Sequence, residues 1–272
     1  MKKLALVVGI NYEGTSSHLG GCINDAKEIA KALVSKFDFN LKDIQLLIED
    51  FATKKNILDG LEYMISNLEA GDIGVFTYSG HGTQTADLPP IDEEDMLDEA
   101  IVPFDGIANQ SNLIRDDEIN EKLSQIKNNV QFTVIFDSCH SGTSTRFMES
   151  DKSVQARTIP LTNTATQIEQ FVNDITNLSA VEVREVKGKT RHPLSGMNHI
   201  LLAGCKSDQL SFDDGTNGFF TKALLGHLNK GVTYEELYNL VKEPVLKRSH
   251  NNQEPQLEGS LLNQKMFEIS NP

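Results

Sequence analysis

Apolar and polar positions follow two rhythms along this chain. Unbroken apolar runs at Leu4 to Ile10, Ile44 to Ile48, Ile73 to Tyr78 and Phe132 to Phe136 predict strands buried on both faces. Between them apolar residues return at helical spacing. Ala26, Ile29, Ala30 and Leu33 predict a helix over Asn24 to Val34. Ile57, Leu58, Leu61, Met64, Ile65 and Leu68 form one stripe over Lys54 to Leu68, and Ile119 with Leu123 faces inward on Asp116 to Ile126. Strands alternating with helices predict an α/β fold with a mostly parallel central sheet and helices on both faces. After Gly142 the rhythm fades, with weak helical periodicity only around Ile168 to Ile175. It resumes with a strand at His199 to Cys205, helices at Gly218 to Leu228 and Tyr234 to Leu246, and a closing loop and short edge strand in QEPQLEGS and MFEI. The chain therefore reads as one domain. It has a larger part over 1–142, a flexible polar connector over 143–193 and a smaller part over 194–272. Unstructured stretches that long inside a compact domain are functional or disordered.

Totals narrow the class. With 39% hydrophobic residues the chain can bury a core, and no apolar run reaches the eighteen or so residues of a membrane span. The opening MKKLALVVGI imitates a secretory leader, but its apolar run is short and no small-residue cleavage site follows, so it reads as the first strand. Cys22, Cys139 and Cys205 are too few and too scattered for a disulfide framework or a zinc site, which favours a reducing, cytoplasmic setting. A net charge of −14 argues against nucleic acid and anionic membrane as partners and suits cationic substrates or a divalent cation.

Two strands end in turns that carry chemistry. One is TYSGHG at Thr77 to Gly82, the other DSCHSG at Asp137 to Gly142. In parallel sheets, sites form beyond the carboxyl ends of strands. A thiol attacks as thiolate and needs a base. His140 adjoins Cys139, but consecutive side chains diverge, so His140 reads as structural or solvent-facing. His81, on a glycine-flanked turn at another strand end, is the candidate base. A lone Cys after a strand is usually just buried, and Cys205 within HILLAGC reads as core. The first βα turn lacks GxGxxG and no GxxxxGK[ST] occurs, which disfavours a nucleotide-binding protein.

The chain resembles the caspase-like cysteine peptidases, and within them the metacaspases and their prokaryotic relatives. The resemblance runs through LALVVGINY, GCINDA, YSGHG, LDEAIVPFD, IRDDEI, FDSCHSG and EPQLEG. It implies a caspase-hemoglobinase-like fold and a cysteine endopeptidase in which Cys139 is the nucleophile and His81 the general base. The backbone amides of Gly82 and Cys139 would hold the oxyanion. No Asn or Asp partner for His81 is evident, so a dyad is expected. Where caspases proper cut after Asp, this resemblance implies an acidic pocket for Arg or Lys formed by Asp25 and Asp137, with Ser79 and Cys22 contributing. Asp25 could instead cap its helix, and Asp137 could serve its own turn.

The segment from Asp87 to Glu99 holds seven carboxylates. By resemblance, calcium ligands fall on Asp98, Asp116 and Asp117, while a fourth family position is Arg146, a cation that should weaken the site. No cofactor is expected for the chemistry itself; calcium or a regulatory protein is the candidate activator. Related zymogens carry cleavable connectors, and Arg146, Lys152, Arg157, Arg184, Lys187, Lys189 and Arg191 are basic residues where a basic-specific enzyme could cut itself. In the loop SDQLSFDDG, Asp208 is the residue expected to reach substrate. The competing reading is a catalytically silent interaction module on the same fold, which would have no reason to retain both His81 and Cys139.

Overall fold

A computed structural model describes residues 1–86, 91–93, 97–139, 154–159, 183–187, 194 and 198–269. In chain order the elements are β1 (Lys3–Gly9), α1 (Cys22–Phe37), β2 (Ile44–Ile48), α2 (Lys54–Asn67), β3 (Ile73–Ser79), β4 (Gly82–Ala86), β5 (Ile91–Glu93), β6 (Leu97–Ile101), β7 (Ile114–Arg115), α3 (Asp116–Leu123), β8 (Gln131–Asp137), β9 (Gln155–Ala156), β10 (Val183–Lys187), β11 (Ile200–Ala203), β12 (Phe212–Asp213), α4 (Phe219–His227), α5 (Tyr234–Arg248) and β13 (Gln256–Glu258).

The main sheet has six strands in the order β13-β11-β8-β3-β1-β2. All neighbours are parallel except β13, which closes one edge antiparallel to β11. Alternation along β1 divides the core in two, as the pleat requires. Leu4, Leu6 and Val8 pack on one face with α2 and α3 residues such as Leu61 and Ile119. Ala5 and Val7 pack on the other with α1, α4 and α5 residues such as Leu33, Phe220 and Leu237. Helices thus cover both faces, and no helix among the described residues is long and apolar enough to cross a membrane.

Helix ends follow local chemistry. Thr53 caps α2 by accepting from the Asn56 amide, and Thr233 with Glu236 forms a capping box on α5. Asp38, at φ 58°, stops α1 in the left-handed region.

Three features depart from the sequence expectation. The closing edge strand is Gln256–Glu258, not the MFEI run. Met266 and Phe267 turn inward instead, and the Phe267 ring meets Phe37 edge-on at 5.1 Å. A small antiparallel sheet, β4-β6-β7, follows His81; its mixed polar strands carried no clear period. Finally, the connector is not uniformly loose. Residues 154–159 run as an extended segment, with β9 paired antiparallel to β12. Val154 and Ala156 pack against Leu210, Phe212 and Phe219, which is why this stretch is held.

The site is framed by a close approach at Gly9. A Cβ there would stand 2.5 Å from the Cys22 carbonyl oxygen and 2.6 Å from Ala26 Cβ. Glycine therefore lets α1 begin directly over the end of β1, which sets Asp25 near the strand ends. Gly9→Val should destabilise the fold by about 1–3 kcal/mol through overpacking. A thermal melt several degrees below wild type would show this; an unchanged midpoint would contradict the packing described.

Candidate active site

Strands β3 and β8 are neighbours with Ser79 opposite Asp137. The turns that follow them therefore leave the sheet side by side. Gly80 is obligatory in the first turn, because a Cβ would meet the Tyr78 hydroxyl at 2.6 Å and the Tyr12 hydroxyl at 2.9 Å. Those two tyrosines clamp His81. The His81 amide donates to Tyr12 Oη at 2.9 Å, the Tyr78 hydroxyl donates to the His81 carbonyl at 2.7 Å, and the Tyr12 and His81 rings meet at 4.7 Å with a 33° tilt.

The imidazole itself is oriented by a backbone group. Its Nε2 lies 2.7 Å from the Ser17 carbonyl oxygen. A carbonyl only accepts, so Nε2 carries the proton and Nδ1 the lone pair. Nδ1 is buried and makes no hydrogen bond to the described residues. Burial lowers the ring's pKa to about 4, against the Ser17 carbonyl and the Arg157 backbone, which favour the protonated form. The ring is therefore a neutral acceptor at physiological pH.

Arg157, from the connector, occupies the centre of the site. Its carbonyl oxygen accepts from the Gly82 amide at 3.1 Å and the Cys139 amide at 3.2 Å, and its own amide donates to the Ser211 carbonyl at 2.9 Å. Cys139 Sγ accepts from the Ser211 amide at 2.6 Å and donates to its carbonyl at 3.2 Å.

The Arg157 side chain is wholly buried among three carboxylates. Nη2 reaches Asp25 at 2.6 Å and Asp213 at 2.7 Å, while Nη1 reaches Asp137 Oδ2 at 3.0 Å and the Asp137 carbonyl at 3.1 Å. Each carboxylate is held in turn. Asp25 accepts from Asn217 at 2.9 Å, Asp137 from the Thr221 hydroxyl at 2.7 Å and from Ser211, and Asp213 from the Gly21 amide at 3.0 Å. One guanidinium does not balance three carboxylates. Burial pushes the Asp25 carboxyl up to about 7, although Arg157 pulls it down. Gly218 forms one wall, since a Cβ there would lie 2.1 Å from Asp137 Oδ2.

The residues expected from sequence meet here. His81, Gly82 and Cys139 surround the Arg157 peptide, Asp25 and Asp137 grip its side chain, and Cys22 and Ser79 are buried beside them. Burial pushes the Cys22 thiol well above its usual range, with Arg157 opposing. Of the seven basic connector residues, Arg157 fills the pocket. Arg184 and Lys187 belong to β10, while Arg146, Lys152, Lys189 and Arg191 lie outside the described residues, as does His140. In the SDQLSFDDG loop a second acid, which the sequence did not single out, faces the site. Asp208 is exposed, and Asp213 enters the pocket. The Ser17 carbonyl carried no signal, because backbone acceptors have no residue type.

Of the acidic positions singled out in the sequence, Asp87, Glu94 and Asp95 lie outside the described residues. Asp98 is buried and paired with Arg115 at 3.2 Å, and Asp116 and Asp117 open α3. Among the described residues no group of three or more His, Cys, Asp or Glu side chains is arranged to hold a metal ion. Calcium at Asp98 would first have to displace the Arg115 guanidinium.

Residues 3–147 match the model of the metacaspase peptidase C14 domain. The chain belongs to the metacaspase family. It is 31% identical over 258 residues to Metacaspase-1 of Schizosaccharomyces pombe, covering 85% of this chain and 60% of that protein. It is 43% identical over 151 residues to Metacaspase-8 of Arabidopsis thaliana, covering 52% and 38%. The chain thus spans between about two fifths and three fifths of the length of these two curated metacaspases. A crystal structure of a protein from Geobacter sulfurreducens superposes with a TM-score of 0.66 at 27% identity, covering 94% of this chain and 92% of that one. The metacaspase match takes in His81, Cys139, Asp25 and Asp137, but stops before Arg157, Ser211 and Asp213.

The buried ring gives a pH test. In the uncut Cys139→Ala chain, the His81 imidazole should stay neutral from pH 8 down to about 5 and take up its proton only near pH 4, because desolvation disfavours the cation. Ring resonances in an NMR titration read this directly; a midpoint near 6.5 would mean a ring in water.

Proposed function

We propose that this chain is a cysteine endopeptidase that cuts after Arg, and less well after Lys, and that its connector lies in its own site as a substrate would. The observation that carries the reading is one peptide unit. The Arg157 carbonyl faces two amide donors while its side chain sits in an acidic pocket, and the nucleophile candidate contributes one of those amides.

The chemistry follows from the groups present. The Cys139 thiol turns from the Ser211 carbonyl, to which it donates at rest, and gives its proton to His81 Nδ1, and the thiolate attacks the carbonyl carbon of the basic residue. The oxyanion is held by the Gly82 and Cys139 amides, a type of donor worth about 3–4 kcal/mol to the transition state. The C–N bond breaks as His81 returns the proton to the leaving amine, leaving a thioester on Cys139. Water, deprotonated by His81, attacks the thioester and restores the thiol. The Ser17 carbonyl keeps the ring in the tautomer that can do this and steadies the imidazolium while it exists.

The pocket supports a basic side chain. Three buried carboxylates repel one another unless a cation lies between them. A planar guanidinium can serve three acceptors with two nitrogens, whereas an ammonium is a compact point charge on a different stem. Arg should therefore exceed Lys.

Cys139→Ala should abolish turnover of a peptide ending in Arg linked to aminomethylcoumarin, with the fold retained. Asp213→Asn should raise KM for that peptide by about tenfold or more, since a charge-assisted contact is worth about 1.5–3 kcal/mol. Turnover surviving Cys139→Ala would remove the thiol from the mechanism. An unaltered KM in Asp213→Asn would misplace the pocket.

A further inference from the structure

Beyond Arg157 the connector does not leave the site. Thr158 bridges Gly82 in parallel register. The Ile159 amide donates to the Gly82 carbonyl at 3.1 Å, and the Thr83 hydroxyl donates to the Ile159 carbonyl at 2.8 Å. Thr158 Oγ1 also approaches the Gly82 carbonyl at 3.4 Å. The Ile159 side chain packs against the main core cluster, and Thr83 is buried beneath it.

The hosts are the first two residues of β4, the edge strand of the sheet β4-β6-β7. One side of β4 is paired with β6. Its other side presents backbone groups of the kind that bind an added strand. Gly82 thus works twice: its amide meets the Arg157 carbonyl and its carbonyl meets the Ile159 amide. The connector lies between two hosts, β12 before Arg157 and β4 after it.

We propose that β4 is a recognition strand for the residues after the cut bond, with Thr83 binding the second of them through its backbone and the apolar shelf under Ile159 selecting an aliphatic side chain there. This rests on reading residues 154–159 as a substrate in its own site. It adds a requirement that the acidic pocket does not impose: a substrate must continue as an extended strand for at least two residues beyond the basic one. Thr83 is a positioning and specificity residue, since it touches the substrate two residues from the reacting carbonyl.

The test uses the full chain and three peptides. Two are internally quenched and contain Val-Gln-Ala-Arg-Thr-Ile or Val-Gln-Ala-Arg-Thr-Asp; the third is Val-Gln-Ala-Arg linked to aminomethylcoumarin. The Ile peptide should exceed the Asp peptide in kcat/KM by about tenfold, because the shelf would strip water from a carboxylate. In Thr83→Val the ratio of the Ile peptide to the coumarin peptide should fall by about fivefold, the worth of one neutral hydrogen bond. Thr83→Ser, which keeps the hydroxyl, should restore it. Equal rates on Ile and Asp peptides, or a Thr83→Val loss shared equally by the coumarin peptide, overturn the recognition strand while leaving the peptidase reading intact. Failure to cut any of the three overturns both. The comparison of Ile and Asp peptides needs no variant, so it decides the matter even if Thr83→Val does not fold.

Discussion

The site is organised by one buried cation among three buried anions. Neither side of that arrangement is tolerable alone. A guanidinium removed from water without partners costs several kcal/mol, and so does each carboxylate. Together each offsets part of the other's cost, and donors from Asn217, Thr221 and Gly21 carry part of the carboxylates' remaining charge. The arrangement ties the two ends of the chain together. Asp25 and Asp137 come from the larger part, Asp213 from the smaller part, and Arg157 from the connector.

This electrostatic demand links selectivity to control. A pocket that requires a cation holds whichever basic residue reaches it first, and a tethered one arrives at high effective concentration. On the proposed reading, Arg157 keeps other substrates out while it stays. Under the proposed cut the new carboxyl end at Arg157 stays joined to the Cys139 side of the chain, so it must be drawn out of the pocket before another substrate enters. On the same reading the vacated carboxylates then bind a proton or another cation, and a preference for basic residues would follow.

Much of this was legible in the sequence, for identifiable reasons. Strands buried on both faces announce themselves as apolar runs, so β1, β2, β3 and β8 were placed within a residue or so of their bounds. Glycine-flanked His81 and the DSCHSG turn pointed to the rim because parallel strands end together. Asp25 and Asp137 followed from the family resemblance. What escaped was tertiary. The β4-β6-β7 sheet has no hydrophobic period, and the role of Ser17 is a carbonyl's. Asp213 competes with Asp208 and Asp214 in one acidic loop, and only the fold separates them. The connector's polar composition suggested freedom, yet residues 154–159 are held by the pairing of β9 with β12 and by a salt bridge to residues distant in sequence.

The most direct measurement is the intact mass of purified protein followed over time, for wild type and for Cys139→Ala. A substrate-like connector predicts that wild type splits between Arg157 and Thr158, giving fragments 1–157 and 158–272, while Cys139→Ala stays whole. Cleavage at other basic residues with the Arg157–Thr158 bond left intact, or the same cut in Cys139→Ala, would contradict the account.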